Sequence, residues 1–99
     1  MHLIQILLPL PGDGGSSGKL FAEVREELAA RFGGLTFYRN APAEGLWKAG
    51  GDVEEDAIVV AEVMTDELDR EWWAGYRKKL ESRFQQDEIV VRSLSAERL

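Results

Sequence analysis

The order of patterns along this chain predicts an α+β fold: a four-stranded antiparallel sheet with two helices packed on one face. Three observations carry the prediction. Apolar runs of strand character open the chain, lie on both sides of a Gly-Gly-Asp turn near its middle, and return near its end. Two amphipathic stretches with apolar residues at i, i+3 and i+4 spacing separate them. The resulting order is β-α-β-β-α-β, in which the two crossovers are helical and the central pair is a hairpin. This is the ferredoxin-like arrangement, and 99 residues suffice for one such domain spanning 1–99.

His2–Leu8 is nearly continuous apolar sequence, as expected of a central strand covered on both faces. Ile4, Ile6 and Leu8 share one face; Leu3, Gln5 and Leu7 share the other. Pro9–Gly18 is rich in glycine, proline and serine and reads as a surface loop. Lys19–Phe32 is the first helix, with Leu20, Phe21, Val24, Leu28 and Phe32 on one stripe. Ser16 or Ser17 is positioned to cap it, and Gly33-Gly34 ends it. Leu35–Asn40 is the second strand. Ala41–Ala49 reads two ways: Pro42 breaks the pairing there, or Gly45-Leu46-Trp47-Lys48 resumes the strand after a bulge. Gly50-Gly51-Asp52 turns the chain into a third strand, Glu54–Met64. There Ala57, Val59, Ala61 and Val63 face one side and Ile58, Val60, Glu62 and Met64 the other. Asp66–Phe84 is the second helix, capped by Thr65 or Asp66, with Trp73, Tyr76, Leu80 and Phe84 on its apolar stripe and Trp72 beside it. Ile89–Leu94 is the last strand, and Ser95–Leu99 is a tail or an edge extension.

Composition argues against several function classes. The net charge is −6, and nine acids but only Arg70 as a base lie between Asp52 and Glu71. That field repels phosphate backbones and argues against nucleic-acid binding. Arg77, Lys78, Lys79 and Arg83 read as a solvated helix face that complements the helix dipole. The chain has no cysteine, so thiol nucleophiles and cysteine metal sites are excluded. The apolar start lacks a basic lead-in and stops at Pro9 and Pro11, far short of the roughly 20 residues that span a bilayer. The expected location is cytoplasmic, with no membrane partner.

Few residues offer chemistry. Gly12 to Lys19 resembles a phosphate-binding loop placed between strand and helix, but Leu20 stands where the magnesium-binding hydroxyl belongs, so a linker is the better reading. His2 is the single histidine, and Asp52, Glu54, Glu55 and Asp56 lack the spacing of a calcium loop; no metal and no cofactor are expected. Glu62 is the residue that stands out, a carboxylate inserted into an otherwise apolar alternation. A buried carboxylate must be paired or titrate abnormally. Arg39 and Arg92, on neighbouring strands, are its expected partners, in a structural or interfacial ion pair. Tyr38 and Trp47 complete the set of ligand-binding candidates, with Trp47 in the irregular hairpin as a surface anchor.

Arg31-Phe32-Gly33-Gly34-Leu35-Thr36, then Gly45-Leu46-Trp47, then Glu55-Asp56-Ala57-Ile58-Val59-Val60 together resemble a family of small bacterial α+β proteins. In that family a helix ending R-F-x-G-L-T leads to a G-x-W hairpin and an apolar strand with an acidic start. The resemblance covers about residues 28–64. It implies the ferredoxin-like fold and a dimer, and transfers no activity. The proline-containing insert Asn40–Glu44 departs from the family's shorter version.

Two function classes follow. Both faces of the first strand are apolar, so a monomer leaves one sheet face wet, and a face of that kind calls for a partner. The favoured class is a homodimeric, non-enzymatic interaction or accessory protein. The alternative is a small enzyme or binding protein of the dimeric α+β barrel kind, taking a small apolar ligand, with Glu62, Arg39 and Tyr38 supplying polarity and Trp47 a lid.

Overall fold

The structure is a computed structural model that describes the backbone of residues 1–9, 14–49 and 52–99 and the side chains of residues 1–9, 18–38 and 58–99. Its elements run β1 (His2–Pro9), α1 (Gly14–Phe32), β2 (Thr36–Ala49), β3 (Asp52–Thr65), α2 (Arg70–Arg83) and β4 (Val91–Ser95). The four strands form one sheet in the order β2-β3-β1-β4, and each adjacent pair is antiparallel. This is the ferredoxin-like fold.

The sheet is built around β1, which pairs with β3 from His2↔Thr65 to Pro9↔Ile58 and with β4 from His2↔Ser95 to Ile6↔Val91. Strand alternation then sorts the side chains. Ile4, Ile6 and Leu8 face the helices with their neighbours Val59, Ala61 and Val63, and all six are essentially inaccessible. Above them lie Phe21, Val24 and Leu28 of α1 and Trp73, Tyr76 and Leu80 of α2, joined by Phe84 and Ile89. Ala61, the smallest of the six strand residues, pairs across the strands with Phe37 of β2. Phe21 meets Phe37 edge-on at 5.6 Å and Phe84 at 5.7 Å.

The helix starts differ from the sequence expectation in opposite senses. The first helix begins at Gly14, within the stretch expected to be loop, so Ser16 and Ser17 lie inside it rather than capping it. The second begins at Arg70, not Asp66. Asp69 is the cap, accepting a 3.0 Å bond from the Trp72 amide. Leu68 is drawn down against the core, which takes residues 66–69 out of helical geometry; Thr65 Oγ1 donates to the Glu67 carbonyl instead. Gly33 ends α1 at φ +77°, a left-handed conformation that favours glycine.

Between the Tyr38↔Val60 and Ala43↔Ile58 pairs, residues 39–42 of β2 stand against Val59 alone, so the strand continues past Pro42 through an irregularity. Beyond Ile58 the β2–β3 hairpin runs past the end of β1. The last strand begins at Val91 rather than Ile89, although the Leu7 amide already bonds the Val90 carbonyl. The Ala96 amide bonds the Met1 carbonyl, extending that edge by one residue. Leu10–Asp13 of the glycine-rich segment and the Gly50-Gly51 turn lie outside the described residues, as do the side chains of Arg39, Trp47, Asp52, Glu54, Glu55 and Asp56.

The helices are clamped by charge as well as by packing. Glu27 of α1 accepts two bonds from the Arg83 guanidinium and one of 3.1 Å from the Tyr76 hydroxyl, with Lys79 Nζ 3.4 Å away. Arg83 also reaches Glu23 at 3.5 Å. The bonds from Arg83 hold the Glu27 carboxyl below its usual range despite partial burial. Burial first, then the Glu27 charge, pushes the Tyr76 phenol well above its ordinary value.

Candidate functional site

Among the described residues, the helix-free face of the sheet carries a polar arrangement that crosses all four strands. Register sets it out in rows. Leu94, Leu3 and Met64 form one apolar row, and Val90, Leu7, Val60 and Tyr38 another. Between them lies a polar row, with Arg92 on β4, Gln5 on β1, Glu62 on β3 and Thr36 on β2. Met64, Val90 and Leu94 are each more than two-fifths exposed.

The polar row is wired in one direction. Arg92 Nε donates to Gln5 Oε1 at 2.7 Å, and Gln5 Nε2 donates to Glu62 Oε2 at 2.7 Å. From the other side the Tyr38 hydroxyl donates to Glu62 Oε1 at 3.1 Å. Gln5 is therefore a relay: its carbonyl oxygen answers the guanidinium and its amide nitrogen answers the carboxylate, which fixes the amide orientation. The bond to Glu62 and the carboxylate charge raise the Tyr38 phenol above its ordinary value. Glu62 also borders an open groove of about 540 Å³ with Leu3, Thr36, Met64 and Arg98.

Among the described residues the partners of Glu62 are Gln5 and Tyr38, neither of which is the expected counter-charge. Arg92 reaches it only through Gln5. The side chains of Arg39 and Trp47 lie outside the described residues, so the structure brings Glu62 and Tyr38 together and leaves those two unplaced. Gln5 is the residue missed in reading the sequence. Its signal was available, because it interrupts the apolar Leu3, Leu7 face as Glu62 interrupts its own, and register puts the two opposite each other.

The tryptophans of α2 are structural. Trp73 is buried, and Trp72 stacks on Tyr76 at 4.8 Å beneath the Arg31 guanidinium, 4.2 Å from its ring centre. Trp73 also floors a smaller groove of about 230 Å³ between α2 and the β1–β4 edge, with Ile4, Val91, Arg70 and Arg77 around it. Among the described residues no three histidines, cysteines or carboxylates are grouped to hold a metal ion. No helix among them is long and apolar enough to cross a membrane.

No protein-family model matches the chain and no curated protein sequence aligns with it. Solved structures do resemble it. A divalent cation tolerance protein, CutA1 from Thermus thermophilus, superposes with a TM-score of 0.66 at 11% identity, covering 99% of this chain and 86% of the other. The periplasmic divalent cation tolerance protein CutA from Archaeoglobus fulgidus gives 0.61 at 16% identity, with 99% and 86% covered. A phage SAM lyase gives 0.58 at 17% identity, with 99% and 91% covered. The likeness is one of fold, and the fold carries both a tolerance protein and a lyase.

Proposed function

We propose that this chain is a self-associating, non-enzymatic accessory protein, acting as a homodimer through the open face of its sheet. The observation that carries the reading is the pair of apolar rows on that face, Leu94-Leu3-Met64 and Val90-Leu7-Val60. Side chains of this kind on a face without helices are worth about 25 cal/mol for each Å² of apolar surface a partner covers. In the polar row between them Gln5 and Glu62 are hydrogen-bonded to each other, to Arg92 and to Tyr38, so covering the row buries partnered rather than orphaned groups there. Two structural neighbours are named for cation tolerance, a physiological effect rather than a reaction, which supports an accessory role.

Sedimentation at micromolar concentration tests the reading. The expected species is twice the 11.1 kDa chain, and an 11.1 kDa species alone would overturn it. Val60→Glu places a charge in one apolar row. It should weaken assembly while leaving the far-ultraviolet circular dichroism unchanged, since Val60 packs outside the core.

A second reading has its own observation. Glu62 borders an open groove in which Leu3 and Met64 lie beside Thr36 and Arg98, so a small molecule with an apolar part could lie there against polar contacts. Native mass spectrometry of freshly purified protein separates the two: a retained small molecule favours the groove, and a bare dimer favours the interface.

A further inference from the structure

The polar row is directional, and that direction selects how two copies can meet. Its positive end is Arg92 on the edge strand β4 and its negative end is Glu62, two strands away on β3, with Gln5 midway on β1. Arg92 spends only Nε on Gln5; among the described residues its two terminal nitrogens have no partner. Each Glu62 oxygen accepts a single described bond and so retains capacity for another.

Consider the two-fold axes that stack one such face on another. An axis running across the strands lays β4 over β4 and β3 over β3, which sets like charges against each other. An axis running along the strands, over Gln5, lays β4 of one copy over β3 of the other. Arg92 then meets Glu62 twice, and Gln5 meets Gln5 at the axis. The same operation places Leu94 over Met64 and Leu3 over Leu3, and Val90 over Val60 and Leu7 over Leu7. On β4, β1 and β3 every row of the face is complementary to itself under this one rotation, as an isologous interface requires, and β2 lies outside the overlap. An arginine and a glutamate together span the roughly 10 Å between packed sheets.

We propose that a second copy of this chain covers the open face about a two-fold axis along the strands over Gln5, with Arg92 of each copy against Glu62 of the other. This rests on the open face being the self-association surface, and it adds the orientation and the charge pairs that set it. The apolar rows supply the adhesion. The polar row supplies register, because a sideways slip by one strand breaks both charge pairs, and a slip of two residues along the strands brings each charge over an apolar row.

The experiment uses Arg92→Glu and Glu62→Lys, each alone, together in one chain, and mixed as separate chains, with assembly followed by sedimentation against wild type. Each single reversal puts two like-charge contacts in the dimer and should weaken it tenfold or more, about 1.4 kcal/mol. An equimolar mixture of the two single variants should recover the dimer, because a heterodimer restores opposite charges at both pairs, and the double variant should also assemble. A wild-type dimer indifferent to reversal, a mixture that fails to recover, or an assembly other than a dimer would overturn the orientation while self-association itself stood. A wild-type chain that stays monomeric would remove the underlying reading and the orientation with it. Should Glu62→Lys lose its fold by circular dichroism, Arg92→Gln carries the test. Raising salt should then loosen the wild-type dimer and barely affect the variant one, and equal salt dependence would count against the charge pairs.

Discussion

Among the described residues Glu62 is held by two neutral donors, an amide and a phenol. That matters for how the site titrates. A phenol that donates to a carboxylate resists losing its proton, because the tyrosinate would lose the bond and face a like charge. Tyr38 is accordingly raised above its ordinary 10.0, with the bond to Glu62 the leading cause. Glu62→Gln removes the charge, so Tyr38 should titrate at lower pH in the variant. Spectrophotometric titration near the tyrosinate band reads this directly, since Tyr38 and Tyr76 are the two tyrosines of the chain. Tyr76 is raised by burial and by Glu27, so its step should stay where it is. A Tyr38 step unmoved by the substitution would show that the bond to Glu62 is not made in solution.

At the scale of elements, the helix ends show what alternation and spacing can and cannot settle. Stripe spacing identified both helices and their buried faces, and strand alternation identified Glu62. The helix starts are not legible in this way because capping signals are degenerate: Ser16, Ser17, Thr65, Asp66 and Asp69 are all competent caps in isolation. What decides between them is tertiary. Leu68 is needed against the core, and Arg31 comes within 3.8 Å of Asp69 while covering Trp72, so the helix waits for Asp69. Asp69→Ala should therefore cost about 1 kcal/mol in denaturant unfolding and Asp66→Ala distinctly less; equal losses would return the cap to Asp66. The Glu27–Arg83 clamp was equally invisible, since a glutamate beside an apolar stripe looks like any solvated face. Its carboxyl titrates lower when folded than its usual 4.5, led by the bonds from Arg83. A depressed carboxyl contributes stability above its unfolded value and loses it as pH falls through the folded one. Glu27→Gln should cost about 1 kcal/mol at neutral pH, and its unfolding free energy should converge on wild type as pH drops below 4.5. A gap that persists into acid would assign the effect to packing instead.

The whole molecule is a sheet with two differently used faces, and β1 passes through both. Ile6 and Leu7 are adjacent in sequence and opposite in role. Ile6 is fully buried between the sheet and the helices, with Ala61 and Val91 at its sides. Leu7 stands on the open face beside Val60. Composition gives no reason to treat them differently; only the register of a central strand does. Ile6→Ala leaves a cavity that close-packed neighbours cannot fill, and it should lower the unfolding free energy by roughly 2–5 kcal/mol at every protein concentration. Leu7→Ala removes a similar apolar side chain from a surface whose burial depends on a second chain. Its loss should grow with protein concentration, because association stabilises the folded state by mass action and the variant forfeits that part. Thermal unfolding of both variants across a hundredfold dilution series distinguishes them. If Leu7→Ala shows the same deficit at every dilution, the open face contributes only to the single chain and the self-association reading fails; if the deficit shrinks on dilution while that of Ile6→Ala holds constant, the second face of the sheet belongs to the assembly.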